Sequence, residues 1–75
     1  MPPLPILSGA TAARVFEKSG YTFLHQRGSH MIYRKPGSKK LSIPNHKTVD
    51  RGLLSQLIKD SGLTVAEFVD LLKQV

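Results

Sequence analysis

Histidines at positions 25, 30 and 46 are the only side chains in this sequence whose ordinary ionisation lies near neutrality. A proton-transfer catalyst that works without a cofactor needs at least one of them. His30 has the most suggestive company, because it follows Gly28-Ser29 and stands between Arg27 and Arg34. A strand histidine can equally be a surface or hydrogen-bonded residue with no chemistry. His46, beside Asn45 and Lys47, can hold a phosphate or simply be solvated, and His25 reads as a partly exposed strand residue.

Other chemistries fit less well. The histidines are scattered, no helical i, i+4 ligand pair exists, and four of the five acids fall in or beside predicted helices, so no metal site is expected. Ser29 beside His30 is not a hydrolase pair, since neighbours along a strand point to opposite faces and no nucleophile elbow is present. No Gly-rich loop leads into a helix with Lys and Ser or Thr, which removes nucleotide triphosphate binding. RNA cleavage suits what is left: the 2′-hydroxyl is a built-in nucleophile, and the protein supplies proton transfer and positive charge for the developing phosphorane. No cofactor is required. Such a reaction predicts cleavage in chelator, 2′,3′-cyclic phosphate ends, a single-stranded or loosely paired substrate, and no action on DNA.

The charge distribution agrees with a polyanionic partner. Eleven Lys and Arg against five Asp and Glu give a formal net charge of +6 in 75 residues, and the pI is near 10.1. Between Arg27 and Arg51 the only acid is Asp50, whereas seven basic residues fall there. That segment is the expected phosphate-facing region, with Arg27, Ser29, Arg34, Lys35, Lys39, Lys40, His46 and Lys47 as candidate RNA contacts and His30 as the candidate catalyst. A solvated basic surface and an acidic protein partner remain open on charge alone.

The elements that must position these residues are legible in outline. A chain of 75 residues is one domain at most, spanning 1–75 with a Pro-rich N-terminal segment at 1–7. The apolar start has no basic leader and is too short for a membrane span, and without Cys there are no disulfides. An intracellular, cytoplasmic setting fits. Ser8 can cap a helix over 9–19, whose apolar face is Ala12, Val15 and Phe16 with Ser19, and Gly20 ends it. Strands are expected over 21–27 and 29–34 about a hairpin at Gly28, with a turn at Pro36-Gly37-Ser38 and a third strand at Leu41 to Ile43 ended by Pro44. Leu53, Leu54, Leu57, Ile58 and Leu63 predict a helix from about 51 to 61. Gly62 stops it, and Thr64-Val65-Ala66-Glu67 reads as a capping box opening a last helix whose Phe68, Val69, Leu71 and Leu72 dock on the core. The class is α+β, order α-β-β-β-α-α, with helices on one face of a small antiparallel sheet and the other face left for function.

At Ser8-Gly9, Gly20-Tyr21, Gln26 to Arg34, Ile43-Pro44-Asn45-His46 and Gly62 to Phe68, the sequence resembles the HicA (YcfA-like) toxin family, a likeness that covers residues 8–72. The resemblance implies a double-stranded-RNA-binding-domain-like fold, ribosome-independent cleavage of messenger RNA, growth arrest, and neutralisation by a HicB-type antitoxin that covers the active site. The family's catalytic histidine lies in its Gly-Ser-His segment and falls on His30. Its Pro-x-His segment falls on Pro44, Asn45 and His46, with no role assigned. Two positions depart from the pattern: Met31 stands where a polar or basic residue is common, and Gly52-Leu53-Leu54 replaces Gly-Thr-Leu, a change expected at a helix cap or an antitoxin contact. The competing reading is a module of the same fold that binds RNA without cutting it.

Overall fold

The computed structural model describes residues 4–75, so the first three residues of the Pro-rich segment lie outside the described part. Helix α1, Gly9–Lys18, begins where Ser8 Oγ accepts the Thr11 N–H at 3.1 Å. It buries Ala12, Ala13, Val15 and Phe16. Strands β1, Thr22–Arg27, and β2, His30–Arg34, form a hairpin whose two-residue turn has Gly28 at φ 60° in its first central position, as a II′ turn demands. Strand β3, Leu41–Pro44, completes an antiparallel sheet in the order β1-β2-β3.

Helices α2, Arg51–Ser61, and α3, Val65–Leu72, follow. The Asp50 carboxylate caps α2 by accepting the Gly52 N–H at 3.0 Å. Glu67 and Thr64 bond reciprocally across the start of α3, at 2.9 and 3.1 Å, as the capping-box reading expects. The element order and class are those read from the sequence. The apolar stripe of α2 is narrower than expected: Leu54, Leu57 and Ile58 point inward, and Leu53, about 100° round the helix from Leu54, is 39% exposed. In α3, Phe68 is fully buried, while Leu71 and Leu72 are only partly so.

The helices cover one face of the sheet. Met31 and Tyr33 of β2 and Leu41 and Ile43 of β3 are buried against Val15, Phe16, Leu54, Ile58 and Phe68. Phe16 is the hub, its ring 5.3 Å from that of Phe68 and 6.1 Å from that of Tyr21. Coverage stops short of β1, all six of whose residues are exposed.

Candidate active site

The unpartnered face of the sheet is set by strand register. In antiparallel pairs directly opposite residues share a face. Arg27 opposes His30 and Thr22 opposes Arg34, while Ile32 opposes Ser42 on β3. His30, Arg34 and Ser42 are exposed, in alternation with the buried Met31, Tyr33, Leu41 and Ile43. The expected catalyst therefore stands on the open side, one residue beyond the hairpin turn, directly across from Arg27.

An irregularity in β1 decides what else joins it. Register runs evenly from Thr22↔Arg34 to Phe23↔Tyr33, then slips by one residue between Phe23 and His25, so His25 opposes Ile32 and Arg27 opposes His30. This is a β-bulge at Leu24. Without the extra residue, strict alternation would pair His25 with Met31 and turn both His25 and Arg27 toward the helix side. The bulge brings His25, Arg27 and His30 onto one surface. His25 is an exposed residue of β1, as expected, but its place beside His30 was missed, since no residue in Phe23-Leu24-His25 announces the slip.

A second residue missed by sequence reading is Ser42. Its Oγ lies 3.3 Å from His30 Nδ1. With the ring anchored there from β3, Nε2 is the nitrogen left to face solvent. The alternation Leu41-Ser42-Ile43 placed Ser42 on the open face, but which β2 residue it would meet depends on the β2–β3 register.

The loop after β3 locks the turn that carries His30. The Asn45 N–H donates to the Ser29 carbonyl at 2.6 Å, and the Gly9 N–H donates to the His46 carbonyl at 2.9 Å. Gly9 sits so close beneath Pro44 that a Cβ there would collide with the Pro44 carbonyl oxygen. The separated segments Ser8-Gly9, Gly28-Ser29-His30 and Pro44-Asn45-His46 thus meet at one end of the sheet. His46 and Lys47 are exposed on that loop.

The remaining candidate contacts are divided. Arg34 lies on the open face at the end of β2 away from His30, and one further step of the β2–β3 register sets the exposed Lys40 opposite it. Lys35 turns back toward α1, donating from Nζ to the Ser19 carbonyl at 2.8 Å, with Nζ 5.9 Å from the centre of the Tyr21 ring. Lys39 Nζ is 3.9 Å from Asp60 on α2, and its carbonyl accepts the Tyr21 hydroxyl at 2.8 Å. The structure does not bring Lys35 and Lys39 together with His30.

Charge is segregated across the sheet. None of the three strands contains an acid, and Glu17, Asp50, Asp60, Glu67 and Asp70 all lie on helices or at their caps. The open face is consequently a cationic surface with two imidazoles and no competing carboxylate. Among the described residues no group of three His, Asp or Glu is arranged to hold a metal ion. Two surface depressions lie elsewhere, one lined by Ile6 and residues 48–51 and the other between α1 and the C-terminus. A cationic face open to solvent can accept an extended polyanion.

Comparison with known proteins agrees with the motif resemblance. The family described as HicA toxin of bacterial toxin–antitoxin matches residues 9–63, which takes in α1, the whole sheet and α2. No curated protein matches the chain. The matched segment includes both the Gly-Ser-His turn and the Pro-Asn-His loop, and on that match over most of its length the chain belongs to the HicA toxin family of bacterial toxin–antitoxin systems.

Proposed function

We propose that this toxin is a metal-independent, ribosome-independent endoribonuclease that cleaves messenger RNA, with His30 as its catalytic residue. The observation that carries the reading is the setting of His30: ring anchored through Nδ1 at Ser42, Arg27 directly opposite, and no acid on the surrounding sheet face. With the Nδ1–H donated to Ser42 Oγ, Nε2 presents a lone pair to a ribose 2′-hydroxyl. Arg27 is placed to stabilise the charge that gathers on the phosphoryl oxygens as the 2′-oxygen attacks. A bent, unpaired RNA strand laid across the open face satisfies both contacts, with Arg34 and Lys40 binding phosphates farther along and Ser29, His46 and Lys47 near the turn.

Membership in the family implies a cognate antitoxin. On this reading the antitoxin is of the HicB type and silences the enzyme by occupying the cationic face, in competition with RNA. Cleavage of messages then arrests translation and growth when the antitoxin is lost. The chain has no cysteine and hence no disulfide, and among the described residues no helix is long and apolar enough to cross a membrane.

Induced expression tests the reading. Wild type is expected to arrest growth and deplete messenger RNA, whereas His30→Ala does neither while still binding RNA with the wild-type salt dependence. Growth arrest by His30→Ala equal to that by wild type would instead favour a module that acts by binding alone.

A further inference from the structure

We propose that His25 is the second proton-transfer group of the reaction, the general acid that protonates the leaving 5′-oxygen. The inference rests on the reading of His30 as the catalytic base and adds a residue that neither the family match nor the sequence motifs single out.

The β-bulge at Leu24 carries the inference. A bulge re-aims the side chains that follow it, and such features recur beside active sites. Here the effect is specific: the slip turns His25 to the open face, where it opposes Ile32 and is the diagonal neighbour of His30. Diagonal cross-strand neighbours lie roughly 7–8 Å apart. That is a spacing of backbones, and from it two imidazoles can turn to opposite sides of one phosphoryl group, each about 3 Å from an apical oxygen. In-line displacement sets the attacking and departing oxygens on opposite sides of phosphorus, where a single imidazole cannot reach both and a second one on the far side can protonate the leaving oxygen.

The surroundings of His25 suit contact with a polyanion. Arg27 lies two residues along the same strand face, and His30 and Arg34 are its diagonal neighbours on β2. Among the described residues β2 is the one strand that pairs with β1, all of β1 is exposed, and neither strand carries a carboxylate to engage His25.

The 2′-oxygen forms a bond to phosphorus as its proton passes to His30 Nε2. The P–O5′ bond breaks, and the 5′-oxygen takes a proton from the His25 imidazolium. The products are a 2′,3′-cyclic phosphate and a 5′-hydroxyl, no water is consumed, and both imidazoles reset by exchange with solvent.

A substrate that needs no acid separates His25 from every merely structural role. An RNA oligonucleotide with a 5′-bridging sulfur at the scissile phosphate departs as a thiolate and requires no proton. His25→Ala, with His25→Gln as a second variant, is expected to cut the normal oligonucleotide at least 100-fold more slowly than wild type but the sulfur-bridged one within tenfold of it. His30→Ala should be slow on both. Equal defects of the His25 variants on the two substrates, at wild-type RNA affinity, or no defect on either, would overturn the role of His25 while leaving His30 in place. Rescue of His30→Ala by sulfur would reverse the assignment and so overturn it. Failure of wild type to cut either substrate would remove the nuclease reading itself, and this inference with it.

Discussion

The two faces of the three-stranded sheet share one backbone and divide the work of the molecule between them. On the inner face Met31, Tyr33, Leu41 and Ile43 are sealed beneath three helices, and the nearby Glu17 carboxylate accepts the Tyr33 hydroxyl at 3.1 Å. On the outer face His25, Arg27, His30, Arg34 and Ser42 stand exposed without any acid among them. Side-chain alternation makes each strand serve both faces, so a change at one position can remove stability or chemistry separately. The boundary is at β1, where coverage ends and a bulge takes over the placing of side chains. A domain this small has little stability to spare, and setting charged and polar residues on the uncovered side spares the core their burial cost.

The largest effect expected within this comparison is on the inner face. Phe16→Ala removes the aromatic hub and should cost about 3–5 kcal/mol, enough to unfold much of the protein, as a denaturant titration would record. Gly9→Ala comes next and couples the two faces. Its new methyl group has to displace the Pro44 carbonyl, at about 1–3 kcal/mol by analogy with overpacked cores, and the shift loosens the Asn45 contact that fixes Ser29. Melting temperature and cleavage rate should fall together in this variant, whereas a change confined to the outer face should lower the rate alone.

Smaller and confined to the outer face is Ser42→Ala. Loss of one hydrogen bond worth about 0.5–1.5 kcal/mol corresponds to a twofold to tenfold fall in kcat. KM and melting temperature should not change, and Ser42→Thr should restore the rate. A fall in melting temperature equal to that of a core variant would make Ser42 structural instead.

The smallest effect at neutral pH belongs to Tyr33, whose hydroxyl ionisation is pushed from 10.0 up to about 12, first by burial and then by the Glu17 carboxylate. Because the folded value is the higher one, this contribution is complete below pH 10 and is lost as pH rises through about 12. Wild type should therefore melt at progressively lower temperature across that alkaline window, whereas Tyr33→Phe should lack this component of the decline.

Much of this division was legible in the sequence, because it follows from local rules. Ser8, Gly20, Gly28, Gly62 and the Thr64–Glu67 box mark element ends by their own backbone needs. The alternation of Leu41, Ser42 and Ile43 announces two faces. His30 stood out by its place after Gly28-Ser29. What escaped reading depends on how separate segments meet. The slip at Leu24 has no local signature, so His25 passed for an ordinary strand residue. Ser42 gained significance only once β3 was aligned on β2. Lys35 and Lys39 counted toward a basic segment until folding turned them to Ser19 and Asp60. Leu53 belonged to the apolar spacing of α2 but lies beyond the arc that the sheet and α3 cover.

The central claim is that His30 on the uncovered face cuts RNA without a metal. Purified wild type and His30→Ala should be incubated with a messenger RNA in excess EDTA and the ends of the products mapped. Wild type should give fragments with 2′,3′-cyclic phosphate and 5′-hydroxyl ends, and His30→Ala a rate lower by a factor of about 10²–10⁴. Equal cleavage by the two proteins, or binding without cleavage by both, would contradict it.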